Sequence, residues 1–306
     1  MNGDSSIKRV AATVGTFDGV HLGHRLVLDT LRLAAEERDL TPIAITFDAH
    51  PLSVIAPDRT PPAIMSPQRK LQELQRLGFA THVLDFTPST ARLSAADWMR
   101  NLHAYHAIDA IIIGYDNTFG HDGRSLSPDN YIRLGEEIGL EVIIAPRLEG
   151  VSSSAIRRLI AAGNIKEADA MLGQPFILDG VVEEGDRIGR KIGFPTANLR
   201  LNHAEGRLLP AFGVYAAEVM MPDGSVMNGV SNIGLRPSVS DIAATPYPRI
   251  ETHIPGYNGK DFYGQPLEVR LLDFIRPEKK FDSLEDLKKQ LQLDCLSLNP
   301  DYHKSI

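Results

Sequence analysis

The chain has 306 residues, 43% of them hydrophobic, and a formal net charge of −7, a length that exceeds what one core usually supports and points to two domains. Mild acidity argues against a broad nucleic-acid surface, because counterion release needs dense basic charge. Cys295 is the only cysteine, which excludes an intramolecular disulfide and cysteine-rich zinc sites and fits a reducing, cytoplasmic setting.

From Lys8 to about Leu172 short apolar runs alternate with helical patterns. The runs predict strands at Val10–Val14, Ile43–Phe47, His82–Phe86, Ala110–Gly114 and Glu141–Ala145, with helices at Arg25–Arg38, Pro67–Leu77, Ala95–Tyr105 and Pro128–Ile138. Ile111-Ile112-Ile113 and Val142-Ile143-Ile144 do not alternate, as expected of parallel strands covered on both faces. The expected fold is a doubly wound, Rossmann-like α/β sheet with ligands beyond the carboxyl ends of its strands. Glycine, polar and ionisable residues follow three of those strands, at Gly15 to His24, Asp48 to His50 and Gly114 to Gly120.

The grammar changes after Leu172-Gly173-Gln174-Pro175. Short alternating runs at Phe176–Val182, Gly213–Met220, Val226–Ser231, Arg249–Ile254 and Leu267–Phe274, separated by glycine and proline, predict a small antiparallel barrel. A helix follows at Leu284–Leu293, with Ser283 and Asp286 placed as a capping pair. The domain boundary is therefore placed at Gly173–Phe176, giving domains 1–173 and 174–306. No run of about 18 apolar residues occurs, and Met1 to Arg9 is polar and lacks the apolar core of a signal peptide. A soluble, unexported protein without a membrane or nucleic-acid partner is expected, and the choice between monomer and homo-oligomer stays open.

The densest signal is Gly15-Thr16-Phe17-Asp18-Gly19-Val20-His21-Leu22-Gly23-His24, a glycine-punctuated turn between a strand and a helix start. Free N–H groups at a helix N-terminus attract anions, glycines let the backbone approach them, and histidines three apart can face one pocket. This is a phosphate-handling arrangement. Further on, Val151-Ser152-Ser153-Ser154-Ala155-Ile156-Arg157 opens a helix with a hydroxyl cluster. In the second half a basic, glycine-rich turn, Arg187-Ile188-Gly189-Arg190-Lys191-Ile192-Gly193, leads into Phe194-Pro195-Thr196-Ala197-Asn198. Asn232-Ile233-Gly234-Leu235-Arg236-Pro237-Ser238 and Ile250-Glu251-Thr252-His253 come after it, and no P-loop string occurs anywhere.

His-x-Gly-His after a strand resembles the nucleotidylyltransferase superfamily, and the longer string resembles the prokaryotic bifunctional riboflavin kinase/FAD synthetase family. That resemblance runs from about Val10 to Leu293, with Ala49 standing where the family usually has proline, Asn117 where it commonly has an aromatic, and Pro255 to Asp261 replacing a shorter loop. It implies riboflavin, FMN and ATP as substrates, FAD as product and Mg²⁺ as cofactor. For the first half it implies adenylyl transfer to FMN, with Gly15, Phe17, Asp18, Gly23, His21 and His24 at the phosphates. Ser152, Ser153, Ser154 and Arg157 would hold the β and γ phosphates, with Asp48, His50, Asp116 and Phe119 at the flavin. For the second half it implies Arg187, Lys191, Gly193 and Pro195 at ATP, Thr196 and Asn198 at Mg²⁺-ATP, Asn232 and Arg236 at the flavin, and Glu251 as general base. Glycerol-phosphate and pantetheine-phosphate transferases also use His-x-Gly-His, and the second domain is what separates them from this chain.

Overall fold

Apolar runs without alternation become the centre of a parallel sheet. β1 (Val10–Val14) is buried at every position and β2 (Thr41–Phe47) over its carboxyl half. With β3 (Ala80–Leu84), β4 (Ile108–Gly114) and β5 (Glu141–Ala145) they form a five-stranded sheet of order β3-β2-β1-β4-β5, every pair parallel. The order reverses between β1 and β4, and a crevice beyond their carboxyl ends is where such a sheet takes ligands. The computed structural model describes residues 9–115, 118–185, 187–202, 206–235 and 248–298. The expected site residues Asp116 and Arg236 lie outside them, as does Asn117.

Helices α1 (Leu22–Arg38), α2 (Leu52–Ile55), α3 (Pro67–Arg76), α4 (Ala95–His106) and α5 (Pro128–Ile138) alternate with the strands. Their starts follow ordinary capping chemistry: the Ser94 hydroxyl accepts from Asp97 N, and Ser127 forms a capping box with Asn130 ahead of Pro128. α1 begins at Leu22 rather than Arg25 because His21 serves as its N-cap, Nδ1 accepting from His24 N at 3.2 Å. β3 lies earlier than the expected His82–Phe86. Its last pair with β2 is Phe47 to Leu84, beyond which Phe86 N turns to the Asp48 carboxylate instead.

Two further helices, α6 (Ser153–Ala161) and α7 (Ile165–Leu172), precede a barrel of β6 (Ile177–Glu183), β7 (Thr196–Leu201), β8 (Gly213–Met220), β9 (Val226–Leu235), β10 (Pro248–His253) and β11 (Pro266–Arg276). Between β6 and β7 lies the short α8 (Ile188–Lys191), and α9 (Leu284–Leu296) follows the barrel. The barrel closes in the order β10-β7-β6-β11-β8-β9, all neighbours antiparallel. Alternation divides each strand between two faces: Leu199, Leu201, Ile233 and Ile250 are buried in the core, while Asn198, Asn232 and Glu251 are half-buried on the other face. The inward hydroxyls of Ser231 and Thr252 satisfy one another at 2.6 Å.

The chain divides into two compact units, Met1–Pro61 with Pro67–Ser153, and Pro62–Ser66 with Ser154–Ile306. This division falls ahead of the 173/174 boundary because the apolar faces of α6 and α7, Ile156, Ile160, Ile165 and Leu172, share a core with Phe176 and Leu178. Pro62–Ser66 belongs to the second unit through backbone bonds of Ala63 N to Gly206 O and Leu208 N to Ala63 O. Ser66 Oγ adds a bond to the Asp179 carboxylate at 2.7 Å.

Candidate active sites

In the first unit the turn after β1 is tightly wound. Phe17 and Val20 take left-handed backbone angles, φ 48° and 39°, and so does Gly19 at 86°. For a β-branched residue such as Val20 that conformation is strained and persists only where the surroundings impose it. Here burial imposes it: Phe17 is 2% exposed and Val20 fully buried. Ser153 Oγ closes the turn by donating to Asp18 O at 3.2 Å.

The two histidines stack with ring centroids 3.6 Å apart, and Phe17 meets His24 edge-on at 5.3 Å. Because His21 Nδ1 accepts a backbone hydrogen bond, its ring proton sits on Nε2, which makes that nitrogen a donor. Gly23 lies close to the His21 ring, where a Cβ would fall 3.1 Å from it and the ring would have to give by a few tenths of an ångström. Nearby, a cavity of about 210 Å³ opens beyond the strand ends, bounded by Gly15, Phe47, Pro51, Phe86, Trp98 and Phe119 among others. Its aromatic walls suit a flat ring.

The remaining expected residues of this site are placed variously. His50 Nδ1 accepts from Leu52 N at 3.1 Å at the start of α2, and the Asp48 carboxylate accepts from Phe86 N. Phe119 is gripped by the Tyr131 hydroxyl, which accepts from its N–H and donates to its carbonyl. Ser152 precedes α6, and Ser154 lies exposed on it. Arg157, also on α6 in the second unit, donates from Nε to Pro62 O at 2.8 Å. Sequence reasoning missed Lys70 of α3, whose Nζ donates to Phe47 O at 3.0 Å. Burial holds its ammonium below the usual lysine range, while Asp18 and Asp48 pull the other way.

The second site lies on the outer face of the barrel. Asn198 stands directly opposite Glu251 in the β7–β10 pair, and Glu251 opposite Asn232 in the β10–β9 pair. Directly opposed residues share a face, so the three form one row. A cavity of about 280 Å³ borders two of the three, Asn232 and Glu251, together with Thr196 and His253 from the strands and Leu287 and Leu291 from α9, while Asn198 does not line it. The side-chain oxygens of Thr196, Asn198 and Glu251 are hard donors that suit Mg²⁺. Among the described residues no cluster of three or more His, Cys, Asp or Glu could hold a metal by itself, so such an ion would share its coordination with waters and phosphates.

The loop entering β7 is built for close approach. Phe194 N bonds Gly189 O at 2.8 Å, and a Cβ on Gly189 would fall 2.2 Å from Phe194 O. Pro195 O accepts from His253 Nδ1 at 2.8 Å, which ties the loop to β10. Burial holds that imidazole below the usual histidine range, the carbonyl opposing it. Arg187 has a left-handed backbone at the start of α8 and pairs with Glu184. Lys191 ends α8, and Gly193 follows with φ 87°. Arg187, Lys191, Gly193 and Pro195 do not border the cavity, whereas Thr196, Asn232 and Glu251 do.

Two arginines of this site were not foreseen. Arg249 pairs with Glu251 and donates from Nε and Nη2 to Asn198 Oδ1, both at 3.2 Å. Arg276 borders the cavity and meets Asp294 of α9 through Nε–Oδ1 at 2.9 Å and Nη2–Oδ2 at 2.7 Å. Asp294 is 1% exposed, and breaking a buried pair leaves an uncompensated charge costing about 3–5 kcal/mol. Asp294→Ala should therefore lower thermal stability of the second unit by about that amount and weaken any ligand held under α9, as a melting curve with and without flavin would register.

A FAD synthetase family model matches residues 4–156 and a riboflavin kinase family model matches residues 172–299. The bifunctional riboflavin kinase/FMN adenylyltransferase of Bacillus subtilis (strain 168) is 33% identical over 92% of this chain and 89% of that protein. Its counterpart in Escherichia coli (strain K12) is 35% identical over 93% and 90%. The crystal structure of a macrolide-efflux protein from Streptococcus pneumoniae matches with a TM-score of 0.83 and 31% identity, covering 94% of this chain and 93% of that one. Among the described residues, no helix is long and apolar enough to cross a membrane. With both family models matched in order and curated relatives above 30% identity over nearly the whole length, the chain belongs to the bifunctional riboflavin kinase/FMN adenylyltransferase family.

Proposed function

We propose that residues 174–306 phosphorylate riboflavin to FMN with Mg²⁺-ATP and that residues 1–173 transfer AMP from ATP to FMN, giving FAD. The observation that carries this reading is the row of Asn198, Glu251 and Asn232 across three barrel strands beside a cavity bounded by apolar groups of α9. Glu251 accepts the proton of the riboflavin 5′-hydroxyl as that oxygen attacks the γ-phosphorus and ADP leaves. Thr196 and Asn198 hold Mg²⁺-ATP, the ion supplying charge neutralisation at the phosphates when bound. Asn232 and Arg236 contact the flavin, while Arg187, Lys191, Gly193 and Pro195 shape the nucleotide loop.

In the adenylyl transfer, a phosphate oxygen of FMN attacks the α-phosphorus of ATP and pyrophosphate departs. No side chain forms a covalent bond; positioning and charge stabilisation do the work. His21 donates from Nε2 and His24 from its ring to the phosphates, assisted by Gly15, Phe17, Asp18, Gly23, the serines 152–154 and Arg157. Asp48, His50, Asp116 and Phe119 belong to the flavin side. The single buried Cys295 supports a reducing, cytoplasmic setting.

Incubation with riboflavin, excess ATP and Mg²⁺, followed by chromatography of the flavins over time, tests both steps. FMN should rise first and then give way to FAD. Accumulation of FMN alone would refute the adenylyl transfer assigned to 1–173, and no conversion would refute both assignments.

A further inference from the structure

The place between Asn198 and Glu251 already holds a cation. The Arg249 guanidinium is paired with the Glu251 carboxylate and directs two N–H groups at Asn198 Oδ1, each 3.2 Å away. The Asn198 amide lies close over Gly185, where a Cβ would fall 2.2 Å from Nδ2 and 2.7 Å from Oδ1. The Arg249 and Glu251 side chains are 25% and 28% exposed, so neither charge is fully hydrated and each has reason to keep a partner.

We propose that Arg249 is a resident counter-cation of the kinase site, occupying the oxygens of Asn198 and Glu251 until a divalent cation arrives with the nucleotide and displaces it. The inference rests on the reading that Asn198 holds Mg²⁺-ATP. Positive charge on the guanidinium repels an ion arriving at the same Asn198 oxygen, so loading the metal–nucleotide drives the arginine fork to swing off. The same displacement frees the Glu251 carboxylate, which an arginine-paired geometry keeps from the substrate hydroxyl. Arg249 thereby keeps the general base engaged until metal and nucleotide are both present. Placement follows from the strand period alone: Arg249 and Glu251 are two apart on β10 and share its outer face.

The test is calorimetric titration of ADP into the full-length protein over a series of Mg²⁺ concentrations, comparing wild type, Arg249→Met and Asn198→Ala. Both substitutions fall in the second unit, so differences between isotherms report that site rather than the adenylyltransferase. Arg249→Met should lower the Mg²⁺ concentration at half-effect by about tenfold, the size of one charge-assisted contact removed from competition. An unchanged midpoint would overturn the proposal. Weaker ADP binding both with and without Mg²⁺ would also overturn it, by making Arg249 an ordinary phosphate ligand. Asn198→Ala should weaken Mg²⁺-ADP binding; if it leaves the isotherm untouched, the metal reading itself fails, a result separable from failure of the arginine proposal.

Discussion

Glutamine at position 251 should lower the rate of FMN formation from riboflavin by about 10²–10⁴-fold, the range a positioned general base contributes. The substitution keeps the volume and the extended backbone of β10, so the cross-strand row with Asn198 and Asn232 should survive. What it removes is the only carboxylate in that row. The amide oxygen still accepts a hydrogen bond from Arg249 but cannot take a proton from the 5′-hydroxyl. Riboflavin binding should be nearly unchanged, because the cavity walls contributed by Val214, Val230, Leu287 and Leu291 are untouched, so the loss belongs in kcat rather than KM. Since Glu251 lies in the second unit, AMP transfer to FMN supplied from outside should proceed at the parental rate. A variant that still makes FMN within tenfold of the parent would remove Glu251 from the proton transfer.

Two unlike polar designs sit on two unlike scaffolds. The parallel sheet offers its strand ends, so the first site is assembled from consecutive residues of one turn, Gly15 to His24, with backbone strain locked by buried Phe17 and Val20. The barrel offers a flat outer face, so the second site is assembled from residues far apart in the chain that strand register sets side by side. This difference governs how much of each can be read in advance.

The sheet was legible because β1 and β4 are apolar apart from Thr13 and Asp109, and the turn after β1 was legible because its residues are contiguous. β7 was not foreseen as a strand. Its outward positions, Thr196, Asn198 and Arg200, are polar and sit in a segment dominated by glycine and proline, so Thr196 to Asn198 read as the end of a turn. The compact units divide ahead of the 173/174 boundary for a related reason. α6 and α7 have plain amphipathic faces, and such a face states that it is buried without stating in which core. Arg249 carried no signal at all, since its meeting with Asn198 is a fact of cross-strand register. Lys70 looks like any polar position of an exposed-seeming helix until burial beneath Phe47 O is seen. His50 and Asp48, expected at the flavin, each also accept a backbone N–H, from Leu52 and from Phe86, a contact that the sequence pattern does not state.

The largest separable effect on the first site is expected from His21→Asn. His21 does two things: Nδ1 caps α1 by accepting from His24 N, and Nε2 carries the proton directed to other partners. Asparagine is among the best N-cap residues and its Oδ1 can take over the first duty, so helix α1 and the melting temperature should be retained. Alanine would lose both duties and cost about 1 kcal/mol in stability from the cap alone, which is why it is the poorer probe. Loss of the Nε2 donor should lower FAD formation from FMN and ATP by about 10²–10³-fold, as removal of one preorganised donor from developing phosphate charge does. The stacking of His21 on His24, at 3.6 Å, adds to this, because the second ring loses the surface that holds it in place. FMN formation from riboflavin should stay at the parental rate, so the flavin profile would stop at FMN. A His21→Asn protein that makes FAD normally would show that the histidine is there for the cap, and that the phosphates are met by the helix N-terminus and its glycines alone.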